Sequence, residues 1–171
     1  MESPIIRSVT YTTDEARVTV RGLPDKPGVA AEVFGALADA HVNVDMIIQN
    51  SSESGLTDIS CTIPQEDRGI ADLALRNIVE RLGAKGYVAD ENIAKISVIG
   101  IGMRTNPGVA AAMFKTFAEL GINLDMISTS PIKISAVIDK GRVDEAVRVL
   151  HDRFGLDDVC IEHTKADRGS F

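Results

Sequence analysis

The chain has 171 residues, a formal net charge of -7 and 44% hydrophobic residues, enough apolar material for one or two ordinary cores. The acidic balance works against a polyanionic partner, because phosphate binding needs clustered Lys and Arg. The apolar runs fall far short of the ~20 residues that span a bilayer, and the N-terminus carries no signal-peptide core, so neither nucleic acid nor membrane is expected and a cytoplasmic location is.

Residues 5–11 alternate apolar and polar, and Thr12-Thr13-Asp14-Glu15 can turn them back onto the next strand. An open edge is a liability, so this strand is expected to extend one sheet or to replace an edge strand in another. Arg17-Val18-Thr19-Val20-Arg21-Gly22 has the period of a half-buried strand and ends in a Gly-Leu-Pro-Asp-Lys-Pro-Gly turn. Val29, Val33, Phe34, Leu37 and Ala38 then make an apolar stripe one helix face wide. Residues 42–49 and 58–63 read as strands joined by the polar loop 50–55. Ile70, Leu73, Ala74, Ile78 and Leu82 mark a second helix closed by Gly83, and residues 85–90 supply another strand.

The same text then returns. Pro27-Gly28-Val29-Ala30-Ala31 with Phe34 reappears 80 positions later as Pro107-Gly108-Val109-Ala110-Ala111 with Phe114, and Asn43, Asp45, Met46 and Ile47 as Asn123, Asp125, Met126 and Ile127. The second copy reads as strand 95–101, helix 107–120, strands 122–129 and 132–138, helix 143–154 and strand 159–163, with a short Ser130-Pro131 turn in place of the long polar loop. The order is βαββαβ in both copies. That order is met by a four-stranded antiparallel sheet with two helices on one face. The expected class is therefore α+β, two tandem ferredoxin-like units at 15–91 and 92–164, with strand 5–11 joining either sheet and nesting of the domains left open. Residues 165–171 have no period and read as a frayed end.

Chemistry concentrates at the turn before the first helix. The backbone amides around Gly28 to Ala30 have no intrahelical partners, and the helix N-terminus carries partial positive charge, so a carboxylate or a phosphate fits there. Asp25 offers a counter-charge to an ammonium, and Gln49 an amide. The same residues also read as a Pro-started helix with Asp25 as a turn residue. No GxxxxGK[ST] loop, nucleophile–base set or metal-spaced cluster is visible, and His41, His151 and His163 are scattered. No catalysis, metal or cofactor is expected, and Cys61 and Cys160 read as buried reduced thiols.

Strand, Asp25-Lys26-Pro27-Gly28-Val29-Ala30-Ala31, helix and Asn43-Val44-Asp45-Met46-Ile47 together resemble the ACT domain, a ferredoxin-like module that binds small effectors, most often amino acids. More narrowly, residues 43–50, Thr57-Asp58-Ile59-Ser60, residues 98–103 and Ile127-Ser128-Thr129-Ser130 resemble the regulatory region of aspartate kinase over nearly the whole chain. Aspartate kinases carry a catalytic domain ahead of these repeats, whereas Met1 here stands close to the first regulatory strand. The resemblance thus implies a separate, non-catalytic regulatory β subunit, a catalytic α partner, a homodimer, and feedback inhibition by threonine and lysine.

It also implies that paired copies set Asn123 against the Asp25 loop. On that basis the effector site comprises Asp25, Pro27, Gly28, Val29, Ala30, Gln49, Asn123, Leu124 and Asp125. A weaker second site comprises Asn43, Asn106, Gly108, Val109, Ala110 and Thr129, where Thr105 replaces Asp25 and no ammonium partner remains. The alternative is an amino-acid-sensing regulatory subunit of another biosynthetic enzyme such as acetolactate synthase.

Overall fold

The computed structural model describes residues 5–51, 54–103, 106, 108–156 and 161–165, which divide into two compact units. One is Asp14–Glu91; the other joins residues 5–13 to 92–165.

The first unit runs β2 (Glu15–Pro24), α1 (Val29–Asp39), β3 (Ile47–Ser51), β4 (Leu56–Pro64), α2 (Arg68–Leu82) and β5 (Gly86–Asp90). Its sheet has the order β3-β4-β2-β5, antiparallel at every neighbour. One face carries both helices, and between them lie Val18, Val20, Leu23, Leu37, Ile59, Ile63, Leu75 and Ile78, all buried. On α1 the buried residues are Val29, Val33 and Leu37, and on α2 Ala71, Leu75 and Ile78, spacings that place them on one side of a 3.6-residue helix. Beside this core, Arg68 bridges Asp72 and Glu91, while the Tyr87 hydroxyl donates to Asp72. Burial and that bond raise the Tyr87 pKa and pin β5 to α2.

The second unit repeats the plan with β6 (Ile93–Ile101), α3 (Gly108–Glu119), β7 (Met126–Thr129), β8 (Lys133–Asp139), α4 (Val143–Arg153) and β9 (Ile161–His163). Its core gathers Ile96, Val98, Met113, Phe117, Ile138 and Leu150. The sheet has five strands, β7-β8-β6-β1-β9, because β1 (Ile5–Thr12) is added. β1 pairs antiparallel with β6 through Val9↔Val98 and parallel with β9 through Val9↔Ile161.

This corrects the expectation for strand 5–11, whose pairing with β9 is parallel. The strand neither extends an edge nor replaces an edge strand; it occupies an interior lane and moves β9 outward. Val9 is buried on the helix-bearing face, and its neighbours Thr10 and Thr12 are buried as well. A strand enclosed in this way needs ladder partners on both sides.

A second correction concerns where β3 and β7 start. Residues 42 and 122 are not yet strand, because their amides still bond to helix carbonyls. Each of the four helices ends in the same pair of capping bonds. In α1 the bonds are His41 N→Ala38 O and Val42 N→Leu37 O, and in α3 Gly121 N→Ala118 O and Ile122 N→Phe117 O; α2 and α4 close alike at Gly83 and Gly155. The motif needs a left-handed residue after the helix. Glycine supplies it three times, and His41, at φ 57, once. The sheet is joined only at Asp45 N→Thr62 O and Asp125 N→Val137 O, after which Met46 and Met126 are buried.

Candidate functional site

The loop of the first copy is shaped before it starts. β2 carries a bulge between Val20 and Leu23 at Gly22, whose φ is 64 and whose amide donates to Asp58 Oδ1 at 2.7 Å. Pairing resumes with Leu23↔Thr57 and Pro24↔Leu56. The amide of Asp25 then donates to Gly55 O at 2.9 Å, and that of Lys26 to Pro24 O at 3.0 Å. The loop is thus fastened to the β3–β4 hairpin.

Gly28 stands at the N-cap of α1 with φ 96 and no side-chain cap. A Cβ there would meet nothing within 4 Å, so the cap opens into free space and a ligand can approach the backbone closely. Glu32 N→Gly28 O starts the helix and the Val29 amide makes a long bond to Lys26 O at 3.4 Å, while the amides of a first helical turn have no intrahelical acceptor. These amides and the α1 dipole favour an anion. Asp25, Lys26, Pro27 and Gly28 are exposed; Val29 is a core residue, which leaves only its backbone for binding. Gln49 pairs with Ile59, which turns it to the helix-bearing face of the same sheet, and it is exposed.

In the second copy the corresponding elements line an open pocket of about 370 Å³, bounded by Met103, Asn106, Ala110, Thr129, Ser130, Pro131 and Ile134. The structure therefore brings together Asn106, Ala110 and Thr129 of the expected second site. Gly108 opens α3, and Val109 is buried. Thr105 and Pro107 lie outside the described residues. The loop is tied internally: Asn106 Nδ2 donates to Gly102 O at 2.9 Å, Asn106 N to Met103 O, and Val109 N to Asn106 O. Met103, Ser130, Pro131 and Ile134 were not expected there. The pairing of Thr129 with Ile134 was the available signal for one of them, had the hairpin register been known.

The remaining expected residues stand apart within their units. Asn43 is half-buried and lines a cleft of about 570 Å³ in the first unit with Phe34, Leu37, Ala38, His41, Val42 and Val44. In the second unit Asn123 and Asp125 are exposed and Leu124 packs against the core. Cys61 is free and buried, its thiol pushed up to about 12 by desolvation; Cys160 lies outside the described residues. Among the described residues no cluster of three or more His, Cys, Asp or Glu is placed to hold a metal, and no helix is long and apolar enough to cross a membrane.

The ACT domain family model matches residues 18–81 and 96–154, one stretch in each unit. This chain belongs to the ACT domain family. Within it, aspartate kinases are among the relatives. An aspartokinase chain from a crystal structure of aspartokinase alpha and beta subunits is 46% identical, with a TM-score of 0.83, covering 88% of this chain and 99% of that one. The regulatory subunit of aspartate kinase from Thermus thermophilus, solved ligand-free, is 34% identical over the same shares with a TM-score of 0.84. The aspartate kinase of Pseudomonas fluorescens is 45% identical over 92% of this chain and 38% of its own length. The ACT chain thus spans about two fifths of its curated relatives and nearly all of the regulatory subunit. Its two units correspond to the regulatory part of the aspartate kinases.

Proposed function

We propose that this chain is the effector-sensing regulatory subunit of an aspartate kinase and that threonine is its effector, held at the Asp25 loop. The observation that carries the reading is the uncapped N-terminus of α1, open at Gly28 and flanked by the exposed carboxylate of Asp25. The threonine carboxylate takes the amides of Gly28 and Ala30 and that of Val29, whose long 3.4 Å bond to Lys26 O it replaces; Asp25 takes the ammonium; Gln49 adds an amide contact.

The second site uses Asn106, Gly108, Val109, Ala110 and Thr129. Among the described residues no carboxylate lines its pocket, so it binds threonine more weakly or takes another effector, lysine, with carboxylates supplied by a neighbouring chain. The partners are a second copy of this chain and a catalytic α subunit, in the cytoplasm. A bound amino acid inhibits the kinase by favouring one arrangement of the subunits over another.

Asp25→Ala should weaken threonine binding at least tenfold, about 1.4 kcal/mol, in titration calorimetry; unchanged affinity removes Asp25 from the site. Sedimentation tests the assembly: a monomer both with and without threonine counts against control through subunit arrangement.

A further inference from the structure

The two loops are held in different ways, and the difference singles out Asp58. In the first unit the β2 ladder breaks between Val20 and Leu23, so the Gly22 amide loses its strand partner and bonds instead to the Asp58 carboxylate at 2.7 Å. Three residues on, the Asp25 amide bonds to Gly55 O. Two bonds from one hairpin therefore bracket Leu23 and Pro24 and fix the direction in which the chain leaves the sheet. A bulge re-aims the strand that follows it, and a carboxylate is a stronger acceptor than a neutral group. The hairpin position matching Asp58 in the second unit is Lys133, since Ile47 pairs with Cys61 as Ile127 does with Ala136. There Asn106 closes the loop on itself through Gly102 O.

We infer that Asp58 is a positioning residue for the Asp25 effector loop: it touches no ligand and acts by anchoring the Gly22 bulge so that Asp25 and the α1 amides are pre-set for the amino acid. This rests on the reading of that loop as the effector site. Pre-setting a loop raises affinity by removing the cost of ordering it on binding.

Threonine titrations of the wild type, Asp58→Ala and Asp58→Asn decide the matter. Asp58→Ala is expected to bind about tenfold more weakly, in line with loss of a hydrogen bond to a charged acceptor. Asp58→Asn keeps an acceptor oxygen and should recover most of the affinity; a purely structural role for the charge would not give that rescue. Wild-type affinity in Asp58→Ala, or equal weakening in both variants, overturns the inference and leaves the site standing. If Asp58→Ala does not fold, Asp58→Asn decides by itself, a tenfold loss counting against. Absence of threonine binding by the wild type overturns the underlying site reading instead.

Discussion

Substituting alanine at Gly22 and at Gly121 separates backbone strain from crowding. Both residues sit at nearly the same left-handed φ, 64 and 66. At Gly121 an added Cβ meets nothing within 4 Å, whereas at Gly22 it would lie 2.5 Å from Lys85 Cγ and 2.8 Å from Lys85 Cβ. The left-handed conformation costs a non-glycine residue roughly 1–2 kcal/mol, offset by about 0.4–1 kcal/mol from the stiffer unfolded chain. Gly121→Ala should therefore destabilise by about 1 kcal/mol. Gly22→Ala carries the same terms plus the clash. Lys85 cannot relieve it by moving its far end, because its Cβ is itself in the way and its amide is bonded to Arg21 O. Overpacking of this kind costs about 1–3 kcal/mol, giving roughly 2–4 kcal/mol in all. Urea denaturation of the two variants beside the wild type measures the difference. Equal losses would refute the reasoning, since the strain at the two sites is matched and only the crowding differs.

His41→Gly should stabilise the chain by about 0.5 kcal/mol, the left-handed strain relieved less the added unfolded-state entropy, seen as a small rise in the urea midpoint. Phe117→Ala, emptying a fully buried position between α3 and its sheet, should cost about 3–5 kcal/mol in the same assay. In a Cys160→Ser background, Cys61 should stay unreactive to a thiol reagent near pH 8 until the chain unfolds. Its folded pKa of about 12 lies above the ordinary 9.0, so the native state holds the proton that the unfolded state releases. The associated stability is complete below about pH 9 and is lost as pH rises toward 12. A Cys61→Val variant should show a shallower decline over that window.

Most of the architecture is written in local patterns. The Pro-Gly-Val-Ala-Ala repeat marks the start of a helix twice, and the apolar stripe of α1 agrees with the face it buries; on α2 only Ile78 of the expected stripe is buried, beside Ala71 and Leu75, while Ile70 and Leu73 are exposed, because the helix is turned on the sheet by about one residue from the stripe read in the sequence. Gly83 occupies the left-handed cap its position suggests. What local pattern cannot carry is partner choice. Residues 5–11 alternate as any half-buried strand would, yet their place between β6 and β9 depends on residues about ninety and a hundred and fifty positions away. His41 hid the α1 cap because no glycine announced it. At the candidate site, Asp25, Gly28 and Ala30 could be read from the turn-and-helix signal. Ser130, Pro131 and Met103 could not, because their approach to Ala110 depends on the folded hairpin and loop.

The interior position of β1 has a consequence for synthesis. The strand leaves the ribosome well before either neighbour: β6 arrives only after the whole intervening unit, and β9 later still; Thr164 Oγ1 donates to the Tyr11 carbonyl across 153 residues. Until then the nascent chain carries a strand with both rims unmet, a state prone to pairing with the wrong neighbour. Removing this segment would not trim a border but part the sheet down its length, leaving β6 and β9 facing one another across an empty lane.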